Sequence, residues 1–354
     1  MTKVPADDVP ASEGGTLFDG TVRRALAVLI VAALALAAWT LSHVLLLAFA
    51  AILIAVLLRH AAAALAGRTP LGVGAALAVV LLAVVTALAV FVLTLGPRIL
   101  REGTRIADVL PETIARLETW LGDRTWGQYV LDSIPMAGAD GPDLNLVGTI
   151  GGTLATAIGV ATSLLVLVSV AIFLALDPGL YRRGVLHLVP KARRGRAGEV
   201  MDALGRNLWR WLLGQLADMA VVAVLTGVGL WIAGVPLAIT LGLIAGLTNF
   251  IPYVGPFLSA VPAIAIAFAH DPTKALWAAG VFVLVQQFEG HVLMPVIQKR
   301  AASLPPVLSI LAIVAFGVLF GFLGIVVATP LLLVTIVLVR MLYVEDVLGD
   351  RMAG

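Results

Sequence analysis

The sequence predicts an all-α, polytopic membrane protein with two segments in which glycine and proline break the helices. Hydrophobic residues make up 61% of the chain and charged residues only 12%, with a mean hydropathy of +1.06, whereas soluble domains carry roughly 25% charged residues. Apolar runs recur from Ala25 to Leu342, and each is long enough to cross a hydrocarbon core of about 30 Å as a helix. The octapeptide from Asn249 to Pro256 interrupts one such run with two prolines and a glycine. Backbone groups freed by such a break persist at membrane depth only inside protein or beside a watery cavity, so the segment predicts a functional site.

One transmembrane domain takes most of the chain. We expect residues 1–22 to be a disordered cytoplasmic tail, residues 23–343 the membrane domain and residues 344–354 a second cytoplasmic tail. The first apolar run, 25–58, would be about 51 Å long as one helix, well beyond one crossing. It therefore predicts two spans that turn near Ser42 and His43, and a third span follows over 72–95.

Two polar regions of opposite charge set the predicted orientation. Residues 96–146 hold five arginines against eight carboxylates, and we interpret 97–148 as an external amphipathic region. After a fourth span over 150–176, the region 177–212 holds eight Lys and Arg against three carboxylates, which places it in the cytoplasm by the positive-inside rule. Its apolar face predicts an amphipathic helix lying on the headgroups; this face consists of Val200, Leu204, Leu208 and Leu212.

The fifth span, 213–236, carries Gln215 and Asp218 in its first turns. Placing a carboxylate inside a membrane span costs about 3 kcal/mol of insertion free energy. A carboxylate at such a position therefore suggests a functional role. Asp218 lies close to the basic region, so a salt bridge with Arg206 or Arg210 competes with a role in transport. Gln215 is the better candidate for packing or substrate contact.

The next apolar blocks, 237–269 and 305–342, are each interrupted by small residues and prolines. The second block would be about 57 Å long as one helix, so it too should break or fold back. Paired Gly/Pro-interrupted segments indicate the broken helices of secondary transporters. Tight helix packing at the glycines is the alternative interpretation, and both can hold. The residues concerned are Gly242, Gly246, Pro252, Pro256 and Pro262 in the first block, and Gly317, Gly321, Gly324 and Pro330 in the second.

Polar side chains gather in the segment between these blocks, 281–296, which we expect to end at Pro295. Gln286, Gln287, Glu289 and His291 have spacings that predict one polar side on a helix. Glu289 is the natural group for a proton- or cation-coupled step, and His291 could share or relay the proton. The alternative is that Glu289 tethers a neighbouring broken helix.

Taken together, these motifs resemble the autoinducer-2 exporter (AI-2E) family of bacterial inner-membrane permeases. The resemblance is carried by Gly214-Gln215, the octapeptide 249–256, Val261-Pro262-Ala263, Gln286-Gln287-Phe288-Glu289-Gly290, Leu293-Met294-Pro295 and the stretch 317–330. It implies about eight spans, a homo-oligomer, and export of small polar signalling molecules such as autoinducer-2, with sodium/proton antiport in some members. By position, the family's signature residues fall on Asn249, Pro252, Gly255, Pro256, Gln287, Glu289 and Pro295. This chain departs from the family in having His291 where Asn is usual and Leu304-Pro305 where His-Pro is usual.

The leading functional prediction is a secondary transporter in the bacterial inner membrane, with both termini cytoplasmic and no nucleic-acid partner. The runner-up is a cation/proton antiporter that uses the same glutamate. An intramembrane enzyme is disfavoured because the chain lacks the His-Glu-x-x-His and Gly-x-Ser-x-Gly motifs, and we predict no cofactor and no metal. The predicted solute contacts are Asn249, Pro252, Tyr253, Gly255, Pro256, Gln215, Gln286 and Gln287, with Glu289 and His291 for H⁺ or Na⁺.

Overall fold

The computed structural model describes residues 39–87, 153–298 and 305–350, together with isolated positions between 26 and 37 and between 89 and 97. The regular elements in these ranges are helices, as the composition predicts. The predicted tail 1–22, almost all of the external region 97–148 and residues 351–354 lie outside the described residues. The chain divides after Leu47 into two compact units, and everything below concerns the second unit unless stated.

The helices are numbered in chain order. They are α1 (Ser42–Ala66), α2 (Val73–Ala87), α3 (Thr153–Leu176), α4 (Pro178–His187), α5 (Arg194–Ile232), α6 (Ala238–Thr248), α7 (Val254–His270), α8 (Pro272–Phe288), α9 (Met294–Gln298) and α10 (Pro306–Leu338). A 3₁₀ turn at Lys191–Arg193 precedes α5, and π-helical turns at Glu289–Leu293 and Val339–Glu345 follow α8 and α10.

Within the described residues, four helical stretches are long and apolar enough to cross a membrane. They are Ser42–Ala66, Lys191–Ile232, Pro272–Val296 and Pro306–Glu345, and the pair Ser163–Leu176 and Pro178–His187, bent by 87°, makes a fifth if it is one span. Large apolar side chains on these helices are widely exposed, as expected where lipid replaces water.

The helix is interrupted close to the predicted turn near Ser42 and His43. In the first unit, the Leu41 amide donates to the Ala37 carbonyl and the Leu45 amide to the Leu41 carbonyl, both at 2.9 Å. Leu41 itself is a turn residue, and the next helix begins at Ser42. The division of the first apolar run into two spans stays a prediction.

The structure corrects the interpretation of the basic region 177–212. Its apolar face does not form a separate surface helix, because α5 continues without interruption for 39 residues from Arg194. Leu208 and Leu212 are buried against Leu53 of α1 and Leu333 of α10. The apolar stripe therefore packs against protein rather than headgroups, and α5, about 58 Å long, extends beyond one bilayer.

The helices α6 and α7 form a short hairpin on α5. With 11 and 17 residues, they are about 16 and 25 Å long, and neither spans a bilayer core. The chain turns sharply between them, where Tyr253 has a φ of 66° and a methyl group on Gly255 would overlap the carbonyl oxygen of Thr248. The break therefore falls where proline and glycine predict it.

Close helix packing holds this hairpin against α5. A Cβ on Gly242 would lie 2.5 Å from the Cα of Gly227, and one on Gly246 would lie 2.5 Å from the Cβ of Ala223. From Gly242 to Gly246 the numbering rises along α6, whereas the facing residues on α5 fall from Gly227 to Ala223. The helices α5 and α6 are therefore antiparallel. Both interpretations of these glycines hold together, since the same block has tight packing and a broken helix.

The second interrupted block, α10, also folds back on itself. Gly321 has φ 66° and ψ −150°, a region that is essentially restricted to glycine. A Cβ on Gly317 would lie 2.9 Å from the Cγ1 of Ile325, although residues eight apart on a straight helix are separated by about 12 Å. The arm before Gly321 has 15 residues, about 22 Å as a helix, and is too short for a full span. The close approach of Gly317 to Ile325 makes α10 a helical hairpin with its tip at Gly321.

Each hairpin has a turn at one end and an open end, where its two arms join the rest of the chain. The open ends of the two hairpins lie at opposite ends of α5. Near the Gly234 end, Val235 and Ala238 pack with Ala267 and Ala275, which belong to α7 and α8. At the Arg194 end, Arg196 joins α5 to the chain that follows α10. Its guanidinium lies 2.8 Å from Glu345 and 2.9 Å from Asp346, and it donates to the Met341 carbonyl at 3.0 Å and to Glu199 at 3.0 Å.

Candidate transport site

A buried hydrogen-bonded bridge joins three helices at the first break. The Asn249 Nδ2 atom donates to the Asp218 Oδ2 at 2.6 Å and lies 3.3 Å from the Glu289 Oε1. The three residues are 1%, 5% and 7% exposed. One side-chain amide therefore bridges two carboxyl groups inside a membrane protein, where placing a charge is costly.

The local structure of each element explains why these side chains meet. Asn249 follows the last residue of α6, so its carbonyl has no partner within the helix, and the Gln215 Nε2 donates to it at 2.8 Å. Gln215 and Asp218 are three residues apart on α5 and share one face. Glu289 begins the π-helical turn after α8, and such turns in α-helices are frequent at functional sites.

The bridge leaves oxygens without hydrogen-bond partners. Among the described residues, the Asp218 Oδ1, the Asn249 Oδ1 and the Glu289 Oε2 are buried and unpaired. Buried polar atoms are normally satisfied, and each exception needs a reason. A carboxylate oxygen of this kind can bind a proton. Carboxylate and amide oxygens can also coordinate a small hard cation or accept a hydrogen bond from a hydroxyl group.

The second hairpin packs beside the first break. Arg196 contacts Met341, and Leu212 packs with Leu333, so the second arm of α10 runs antiparallel to α5. Leu333 shares this buried cluster with Phe250, the residue that follows Asn249. Among the described residues, the Thr329 Oγ1 is also buried and unpaired, and Pro330 beside it is buried. The second broken segment therefore lies beside the first.

The structure divides the predicted solute contacts. Asn249 and Gln215 lie in the bridge, and Pro252, Tyr253, Gly255 and Pro256 form the adjacent turn and the start of α7. Gln286 and Gln287 are exposed and are not brought to Glu289. The inward stripe of α8 runs through Ala275 and Ala278 to Glu289, and both glutamines lie to the side of it. Their contact with a solute stays a prediction.

The remaining predicted residues lie apart from the bridge. His291 is exposed, and its Nδ1 pairs with the Gln287 carbonyl at 3.0 Å, so its part in a proton-coupled step stays a prediction. Pro295 does not end the helix, because the π-helical turn ahead of it leads into α9. Gly317, Gly321 and Gly324 shape the turn of α10.

Asp218 is the residue that sequence reasoning undervalued. Its expected partners, Arg206 and Arg210, do not pair with it, and it bonds to Asn249 instead. The signal that could have identified it was its spacing of three from Gln215, which puts two polar groups on one face of an apolar span. Thr329 carried no comparable signal.

The architecture and the site define a class of protein: a helical membrane protein with two broken helices and buried acids at their junction. The sequence model of the family described as "AI-2E family transporter" matches residues 28–343 of this chain. The chain therefore belongs to the AI-2E family and is a transport protein of the permease type.

Known relatives agree with this assignment. The chain is 30% identical over 250 residues to Putative transport protein YueF of Bacillus subtilis, covering 67% of this chain and 68% of that protein. It is 36% identical over 159 residues to Putative transport protein YrrI of the same species, a match that covers 45% of each chain. It is 28% identical over 118 residues to AI-2 transport protein TqsA of Escherichia coli, covering 32% of this chain and 34% of that protein.

Proposed function

We propose that this protein is a secondary transporter that exports small polar solutes in exchange for, or together with, a proton or a cation. The observation that carries the proposal is the buried Asp218–Asn249–Glu289 bridge, with its unpaired oxygens, at the junction of two broken helices. Secondary transporters commonly place substrate and coupling-ion sites where discontinuous helices meet near the bilayer midplane.

The two hairpins supply a physical route for alternating access. The hairpin formed by α6 and α7 has its open end at the Gly234 end of α5, and that of α10 has its open end at the Arg194 end. Movement of one hairpin along α5 would uncover the bridge toward one side, and movement of the other would uncover it toward the opposite side. This arrangement supports a transport cycle rather than a static pore.

The chemistry of the site favours a hydroxylated solute. Carboxylate and amide oxygens accept hydrogen bonds from hydroxyl groups, and the Gln215 amide, which uses one N–H on the Asn249 carbonyl, has a second N–H to donate. Autoinducer-2 and related polyhydroxylated signalling molecules fit this description, and TqsA is named for autoinducer-2 transport. We propose this solute class, a homo-oligomeric assembly, and a bacterial inner-membrane location with both termini in the cytoplasm.

Cation/proton antiport is the second candidate, and one feature favours it. Two carboxyl groups share a single amide donor, so a proton or a small cation could exchange at the free oxygens with no organic solute present. The two functions differ in whether ion movement needs the solute.

The decisive experiment measures flux in proteoliposomes with an imposed proton or sodium gradient. Wild-type protein is compared with Glu289→Gln and Asp218→Asn, and the solutes include autoinducer-2 and small polyols. Asp202→Asn is the matched control, because Asp202 lies on the same helix as Asp218 but is exposed. We expect both bridge variants to reduce gradient-dependent solute flux at least tenfold, as for an essential proton-transfer group.

Each result has a definite meaning. Solute flux that is lost in the bridge variants and kept in Asp202→Asn supports the coupled exporter. Ion flux that needs no solute and is lost in Glu289→Gln supports the antiporter. Unchanged flux in both bridge variants would reduce Glu289 to a structural tether and remove the basis of the proposal.

A further inference from the structure

A second cavity lies well away from the bridge, between α1, α3, α4 and α5. Its volume is about 500 Å³, within the range of ligand sites. Apolar side chains, including Ile52 and Val56, form one wall, and polar groups gather at the other. The polar lining includes Arg59, His60, Tyr181 and Arg182.

The bend between α3 and α4 fixes the depth of this cavity. The two helices are bent by 87°, so if α3 crosses the bilayer, α4 runs close to the membrane plane. Leu180, Tyr181 and Val185 of α4 are 56%, 41% and 49% exposed, which is typical of a helix lying at the interface. The cavity therefore opens at the level of the lipid headgroups.

The polar wall has an excess of positive charge. Arg182 pairs with Asp202 through Nη2 at 3.0 Å, and that carboxylate is 51% exposed. Among the described residues, the Arg182 Nε is buried and without a partner, and the Arg59 guanidinium makes a long contact, 3.4 Å, to the Ala175 carbonyl. Two guanidinium groups thus face one carboxylate, and donors remain available for an anion.

Aromatic packing makes this wall rigid. The rings of His60 and Trp209 stack with centroids 4.0 Å apart and planes within 10°, and the His60 Nδ1 pairs with the Val56 carbonyl at 2.8 Å. Tryptophan is enriched at the membrane interface. The stack therefore fixes the His60 ring in the polar wall of the cavity.

We propose that this cavity binds the phosphate of an anionic glycerophospholipid, with an acyl chain along the Ile52 and Val56 wall. Basic pockets between membrane helices suit anionic headgroups, and a guanidinium binds phosphate oxygens through paired hydrogen bonds. The apolar wall selects a lipid over a free phosphate, because a soluble anion would leave that surface uncovered. The proposal is independent of the bridge and of the transported solute.

The test uses the detergent-purified protein and two lipids with identical acyl chains, phosphatidylglycerol and phosphatidylcholine. Native mass spectrometry measures how tightly each lipid binds. We expect phosphatidylglycerol to bind at least tenfold more tightly. Arg59→Gln and Arg182→Gln should each lower its affinity by roughly fivefold and leave phosphatidylcholine unchanged. Arg182→Lys should retain part of the preference.

Two controls separate this site from general attraction to basic protein. Arg210→Gln removes a positive charge from the exposed surface of α5 outside the cavity and should leave the preference intact. Inorganic phosphate at millimolar concentration should not displace the lipid; displacement would identify a site for small anions and overturn the lipid proposal. Equal binding of the two lipids by wild-type protein would also overturn it, whatever the variants do.

Discussion

The most consequential single residue in the structure is Asn249. Its side-chain amide donates toward both buried carboxyl groups, and its main-chain carbonyl is held by Gln215. An aspartate at this position would add a third acceptor, and a leucine would leave both carboxyl groups unbridged. Asn249 thus ties the first break to α5 and to α8.

This role predicts a measurable coupling between Asn249 and Asp218. Asn249→Ala should destabilise the protein by about 1–3 kcal/mol, since hydrogen bonds to charged groups are worth that much and their buried partners would be left unpaired. In a double-mutant cycle with Asp218→Asn, the combined loss should fall short of the sum of the single losses, because both changes remove the same contact. Thermal unfolding in detergent measures all three variants.

The matched control for this cycle is Asn249→Ala combined with Asp202→Asn. Asp202 is exposed and pairs with Arg182, far along α5 from the bridge, so its effect should add to that of Asn249→Ala. Additive behaviour in the Asp218 cycle would contradict the bridge.

At this scale the sequence predicted individual members of the site better than their pairing. Asn249 stands in a conspicuous break, and Glu289 is a carboxylate within an apolar span, so both could be identified from residue type and position alone. The partner of Asp218 could not, because Arg206 and Arg210 lie within a few turns of it in sequence while Asn249 lies 31 residues away. Pairing between distant elements depends on packing that a single sequence does not display.

At the scale of elements, the breaks were predictable and the continuities were not. Proline and glycine removed helical hydrogen bonds at 249–256 and permitted the backbone of Gly321, and both signals are local. The uninterrupted course of α5 depends on burial of Leu208 and Leu212 against α1 and α10, which is tertiary. The π-helical turn at Glu289 likewise has no evident local signal.

The tight turn of the first hairpin predicts an unequal response to two glycine substitutions. Gly255→Ala should destabilise the protein by about 1–3 kcal/mol, because the new methyl group would overlap the Thr248 carbonyl and a main-chain oxygen cannot easily move. Gly280→Ala on α8 meets nothing within 4 Å, so it should leave the unfolding temperature unchanged or raise it, since alanine is the better helix former.

The measurement is the thermal unfolding midpoint of both variants in one detergent. Equal midpoints for Gly255→Ala and Gly280→Ala would mean that the turn relaxes freely, and the close approach of Gly255 to Thr248 would then not be a constraint on the hairpin.

At the scale of the whole molecule, the two hairpins and α5 form a single arrangement with distinct ends. Arg196 ties the chain after α10 to one end of α5 through Glu345 and Asp346, and the packing of Val235 with Ala275 closes the other end. The sequence indicated two broken blocks of this kind but left open whether each crosses the membrane or returns. The reversal at Gly321 predicts a return for α10, because a chain that folds back ends on the side where it began.

That geometry makes a prediction about membrane sidedness that the chain is well suited to test, because it contains no cysteine. Single cysteines replacing Val307, Asp350, Asp202 and Thr273 can be labelled with a membrane-impermeant maleimide in intact cells and in inside-out vesicles. We expect the first three positions to react on one side, the cytoplasmic side by the positive-inside rule, and Thr273, between α7 and α8, on the other. Asp202 serves as the internal reference because it lies near the basic start of α5. If Val307 and Asp350 reacted on opposite sides, α10 would cross the membrane as a straight span, and the second hairpin, with the access route proposed for it, would have to be abandoned.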